Sequence, residues 1–130
     1  MRRVLDADVL IGALDGSDAH HARARTLLTR WRTDNDICTV SMVNLTEVLV
    51  APSTEVSRLA SAREAIAALG VSVQQSNEAI GVEAARLRQR HPISLPDAYC
   101  LATAKYTGAT VTSFDQKILK VAARERISVH

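Results

Sequence analysis

The sequence predicts a three-layer α/β/α domain with a central, mostly parallel, five-stranded sheet. Three observations carry that expectation. Five short apolar runs lack long polar–apolar alternation, as strands covered on both faces do. Helical patterns lie between them, and no two-residue hairpin turn joins neighbouring runs. The 130 residues suit one domain, 1–130, with one core and no linker or repeat.

The first strand is Arg3–Leu5, followed by a short apolar helix over Val9–Leu14. Ala19–Arg32 sets Ala24, Leu27, Leu28 and Trp31 on one helical face. Ile37–Val40 is the second strand, and Ser41 stands as N-cap before the helix Val43–Ala51, whose apolar stripe is Leu45, Val48 and Leu49. Thr54–Leu69 is Ala-rich and stops at Gly70, ahead of the third strand, Val71–Val73. The next helix runs from an Asn cap over Asn77–Arg90 and ends before His91-Pro92. Pro96–Tyr106 carries proline in its first turn and stops near Gly108. Ala109–Thr112, the helix Asp115–Arg124 and a fifth strand, Ile127–Val129, complete the order.

Composition narrows the function classes. Apolar residues make up 47% and charged residues 23%, a globular balance. Aromatics are only 3%, which argues against a single-strand binder that stacks bases on exposed rings. A net charge of +2 gives no general affinity for polyanions. Arg2 and Arg3 before an apolar run imitate a signal peptide, but Asp6, Asp8 and Asp15 interrupt that run and no small-residue cleavage site follows. No segment approaches a membrane span, and a cytoplasmic protein is the expectation. Cys38 and Cys100 lie in apolar stretches and read as buried free thiols.

Open parallel sheets bind ligands beyond the carboxyl ends of their strands. Asp6 follows the first strand directly, and Asp115 lies just beyond the fourth. Asp97 is in the first turn of the helix entered through Pro96. Glu47 is one turn into the helix after the second strand, with Asn44 on the same side. Each has a plain structural use alone: Asp97 and Asp115 suit helix starts, and Glu47 suits a solvated face. Together at one sheet edge they need a counter-charge, since two charges about 4 Å apart repel by roughly 4 kcal/mol at an effective dielectric of 20. Oxygen-only ligands suit Mg²⁺ or Mn²⁺, ions used with phosphates, and the chemistry suggested is metal-assisted phosphodiester hydrolysis. Asp8 is expected to cap the helix Val9–Leu14, with support of a metal-bound water as the alternative.

The stretches "VLDADVLIGAL", "SMVNLTEVL" and "LPDAYCLATAKYTGATVTSFDQKI" resemble a PIN domain, most closely the VapC-type toxin ribonucleases, over nearly the whole chain. The resemblance implies a Mg²⁺- or Mn²⁺-dependent endoribonuclease of a toxin–antitoxin pair, whose metal-activated water attacks the RNA phosphorus in line. Asp6, Glu47, Asp97 and Asp115 match the family's four acidic positions, and Ser113 matches its usual Thr/Ser. Asp6 and Asp97 are expected to lie closest to the metal, with Glu47 on the ion or its water shell and Asp115 acting partly through water. Asp8 departs from the family, which more often has Ser, Thr or Asn there. A homodimer and a VapB-type antitoxin, commonly seated in the groove beside the acids, are further implications.

Other features carry less. His20 and His21 point about 100° apart on a helix and read as exposed helix-start residues rather than ligands. Arg23, Arg25, Arg30 and Arg32, and Arg86 to Arg90 with Lys117, Lys120, Arg124 and Arg126, could contact RNA phosphates or simply solvate a face. Competing readings are a PIN nuclease that processes RNA without an antitoxin, a catalytically silent RNA-binding PIN module, and a phosphoacceptor receiver domain. The last needs an acceptor Asp after the third strand, where the chain has Gln74-Gln75.

Overall fold

Four strands form the sheet in this computed structural model, which describes residues 1–130: β1 (Arg2–Leu5), β2 (Ile37–Ser41), β3 (Val71–Gln74) and β4 (Thr110–Thr112). All pair in parallel in the order β3-β2-β1-β4. The chain steps outward from β1 to β3, then returns to place β4 on the other side of β1. The carboxyl ends of β1 and β4 therefore flank the point where strand order reverses, the usual ligand crevice of such sheets.

Seven α-helices cover the two faces: α1 (Ala7–Leu14), α2 (His21–Thr33), α3 (Met42–Val50), α4 (Val56–Ala68), α5 (Glu78–Arg90), α6 (Leu95–Thr107) and α7 (Gln116–Arg124). Successive side chains of β1 feed opposite faces, as the strand period of two requires. Val4 joins Ile80, Leu87, Leu101, Val111 and Ile118 in one core, whereas Leu5 joins Val9, Leu10, Leu28, Trp31 and Val40 in the other. Both cysteines are buried and free.

Several local expectations hold in detail. Ser41 caps α3 by accepting from Asn44 N, and Asn77 caps α5 by accepting from Ile80 N. Gly108 ends α6 at φ +68°, a left-handed position that glycine occupies without steric cost. Helix bounds shift by up to two residues, as at α1 and α2, and two differences have a plain local cause. The fifth strand reduces to one parallel bridge between Val111 and Val129, because Arg126 turns through φ +58° and only the residues after Ile127 run beside β4. Helix α4 starts at Val56 rather than Thr54, since Glu55 is extended and Pro52–Thr54 forms a separate 3-10 turn. No helix is long and apolar enough to cross a membrane.

Candidate active site

The site begins where β1 ends. Asp6 is extended, so its side chain can turn back and cap α1, Oδ1 accepting from Ala7 N at 2.8 Å. Its Oδ2 accepts from Ser113 Oγ at 2.8 Å. Asp6 is 5% exposed, and burial, reinforced by the charge of Asp8 and more weakly by that of Asp97, pushes its carboxyl up to about 7. A buried carboxylate of this kind needs a proton or a cation beside it.

Asp8 corrects one expectation. It does not cap the following helix, because α1 already starts at Ala7 and Asp6 takes the capping position. Asp8 lies inside the first turn and reaches across to the loop after β4. Its Oδ2 accepts from Phe114 N at 2.9 Å and lies 3.2 Å from Ser113 Oγ. Ser113, itself buried, accepts from Asp115 N at 3.0 Å, so its single hydroxyl proton is shared between Asp6 and Asp8. Burial also raises the Asp8 carboxyl. Asp8 thereby ties the loop carrying Asp115 to the start of α1. Asp115 is exposed at the rim and caps α7 through Lys117 N at 2.9 Å.

The other side of the site is built around Asn44, fully buried on α3. Its amide nitrogen donates to Glu47 Oε1 at 3.0 Å and to the carbonyl of Pro96 at 3.1 Å. Its oxygen accepts from Ser41 Oγ, the last residue of β2. One side chain thus links the end of β2, Glu47 and the turn that presents Asp97. Asn44 was visible in the sequence only as a neighbour of Glu47. The spacing of three between Asn44 and Glu47 placed both on one side of the helix.

Asp97 sits half-buried in the first turn of α6, which Ser94 caps by accepting from Asp97 N at 3.2 Å. One turn further on, Cys100 is wholly buried beneath the acids. Burial raises its thiol, and Asp6, Asp97, Asp8 and Glu47 add to the rise in that order. Four carboxylates, from the start of α1, from α3 and from α6, are therefore near enough for their charge to act on Cys100, and Asp115 is near enough to act on Asp8.

The side chains do not form a closed cage: no three of them meet around a point where an ion would sit. Mg²⁺ tolerates this, since it keeps several waters and takes one or two carboxylates together with substrate phosphates. The donor set is all oxygen, and Asp8 Oδ1 is buried without a hydrogen-bond partner, an acceptor that a cation or its water would satisfy. The residues fit a hard divalent ion.

A groove of about 320 Å³ opens beside Glu47, lined by Ile11, Leu14, Val48, Pro52 and Arg58 among others. A larger one of about 470 Å³ lies away from the acids, between α3, α4 and the edge strand β3, where Leu45 and Leu49 turn their half-buried sides.

Comparison with known proteins agrees with this fold. The structure is similar to a Mycobacterium tuberculosis protein, VapC20, described as a Sarcin-Ricin loop cleaving toxin. Identity is 18% over 91% of this chain and 93% of that one, with a TM-score of 0.74. It is similar to VapBC2 of Rickettsia felis, bound to a DNA fragment from its promoter, at 14% identity, 100% and 98% coverage and a TM-score of 0.75. A Klebsiella pneumoniae toxin–antitoxin complex matches at 22% identity, 90% and 89% coverage and a TM-score of 0.74. No curated protein sequence matches the chain. The profile of the PIN domain family matches residues 3–124, from the second residue of β1 to the last of α7. The chain belongs to the PIN domain family.

Proposed function

We propose that this PIN domain is a Mg²⁺- or Mn²⁺-dependent endoribonuclease and the toxin of a toxin–antitoxin pair. The observation that carries the reading is the convergence of Asp6, Asp8, Asp97 and Glu47 above Cys100, with Asp115 at the rim. The resemblance to toxins, one described as a Sarcin-Ricin loop cleaving toxin, supports the reading.

Asp6 and Asp97 are the residues that would hold the ion, Glu47 its water shell, and Asp115 the outer edge. A bound divalent ion would supply a polarised phosphoryl oxygen and a more acidic water. The chain's own part is to fix the carboxylates before substrate arrives. Ser113 aims Asp6 by donating to Oδ2, and Asn44 aims Glu47 by donating to Oε1. Asp8 holds the Ser113–Asp115 loop in place through Phe114 N. These contacts limit the freedom of groups that must otherwise be ordered at each turnover.

The partners follow from the same reading. A VapB-type antitoxin suits the groove beside Glu47, whose apolar walls end at Arg58 and would receive an apolar segment next to the acids. A homodimer and a cytoplasmic location belong to the reading too; light scattering of the purified protein tests the first. The nuclease is tested by incubating total cellular RNA with purified protein, with Mg²⁺ or with chelator, beside Asp97→Asn. Discrete fragments that require the metal and vanish in the variant are expected. No cleavage from protein shown to be free of antitoxin overturns the reading.

A further inference from the structure

A carboxylate cluster repels the polyanion it is meant to cut, so substrate binding needs positive charge close by. Two arginines of this chain lie over aromatic rings, and they differ in what else holds them. Arg3 is 4.6 Å from the Trp31 ring centroid, is 4% exposed, and is neutralised by Asp36 at 2.8 Å. That contact is structural. Arg23 is 5.0 Å from the Phe114 centroid, is exposed, and pairs with no carboxylate.

Phe114 stands between Ser113 and Asp115, and its own N–H is held by Asp8. Its backbone therefore lies beside the acid cluster, while its half-buried ring packs against the core that Leu5 joins. His20 stacks on that ring, with centroids 4.5 Å apart and planes inclined by 24°. His20 and Arg23 are three residues apart, on one side of the start of α2. Their positions are set from beneath. His20 N donates to Asp18 Oδ1 at 2.8 Å, and the His21 ring meets the Gly12 carbonyl at 2.8 Å. At Gly12 an added Cβ would meet Ala24 at 3.4 Å and His20 at 3.5 Å, so α1 and the start of α2 pack closely. The result is a cation over the aromatic ring of the loop that carries Asp115, with no hydrogen bond or ion pair occupying its N–H donors. A guanidinium offers a planar fork that matches a phosphate.

We propose that Arg23, seated with His20 on the Phe114 ring, binds a phosphate of single-stranded RNA adjacent to the one hydrolysed and so positions the strand over the acids. The proposal rests on the nuclease reading and assigns Arg23 no part in bond breaking.

The test is fluorescence anisotropy with a fluorescein-labelled single-stranded RNA across a salt series, in the Asp97→Asn background so that the probe survives. Arg23→Ala weakens binding about tenfold and lowers the salt slope by roughly 0.7, the loss of one phosphate contact to a single strand. Arg23→Lys keeps the slope with only partial loss of affinity. Arg30→Ala, an exposed α2 arginine beside Asp34, leaves both unchanged. Arg23→Ala within twofold of its parent, with the same slope, overturns the proposal. So does an equal loss in Arg30→Ala, which would mean a diffuse field. Cleavage of total RNA by the parent protein, run in parallel, decides the nuclease reading separately: absent cleavage with Arg23-dependent binding rejects the reaction and not the contact.

Discussion

Replacing Asp6 by Asn should make the metal-free protein more stable at neutral and alkaline pH while ending its activity. The Asp6 carboxyl rises from an ordinary value of 3.8 to about 7 in the folded chain, chiefly through burial. Between those values the folded protein keeps a proton that the unfolded chain has lost. Wild-type stability therefore falls as pH rises through that interval and is level above it. A rise of about three units, at about 1.4 kcal/mol each, sets a ceiling of about 4 kcal/mol on the cost of the buried charge. Asn is neutral at every pH. Its amide can donate to Ser113 Oγ, whose proton then goes to Asp8 Oδ2 at 3.2 Å, so the local bonds are kept in number. Urea unfolding in chelator should show Asp6→Asn ahead by about 1–3 kcal/mol near pH 8, with the lead shrinking towards about pH 5. Adding Mg²⁺ should narrow the gap by stabilising the wild type alone. A difference that is independent of pH, or a variant less stable at alkaline pH, would refute the account of Asp6 as a charge awaiting a cation.

Other perturbations separate the roles of the neighbours. Asn44→Ala leaves Ser41, Glu47 and the Pro96 carbonyl without their buried partner, and should cost about 2–3 kcal/mol in urea unfolding as well as reducing cleavage. Ser113→Ala removes the shared hydroxyl but little volume; cleavage should fall about tenfold or more, with the loop after β4 more mobile in hydrogen exchange. Far from the site, hydrogen bonds from His91, then Arg90, hold the Glu125 carboxyl below its ordinary value. Stability from that group is present above the ordinary carboxylate range and is lost as pH falls through it. Glu125→Gln should thus cost about 1 kcal/mol near neutrality, less in acid, with cleavage untouched. Gly108→Ala should cost about 1 kcal/mol in thermal unfolding, because φ is +68° there.

The parallel sheet was legible because short apolar runs between helical patterns have few other solutions, and the acids stood out because Asp6, Asp97 and Asp115 follow a strand or open a helix and Glu47 lies one turn into α3. Asp8 was misread for a specific reason. An acid before an apolar helix is a local capping signal, whereas its actual partner, Phe114 N, lies 106 residues away. Local rules see neither that bond nor the Asn44 link to Pro96 across 52 residues. His20 shows the same limit. It is an exposed helix-start residue as its position suggests, but its stacking on Phe114 depends on how α2 docks beside the β4–α7 loop. The last strand was overstated because its apolar pattern says nothing of the turn at Arg126 that leaves it a single bridge.

The central claim is that these carboxylates hold a divalent ion that cleavage requires. Mn²⁺ binding followed by electron paramagnetic resonance, with RNA cleavage measured in the same samples, tests it most directly. Cleavage should rise along the binding curve, and Asp6→Asn and Asp97→Asn should lose both while remaining folded. Full cleavage in chelator, or Mn²⁺ binding undiminished in both variants, would contradict it.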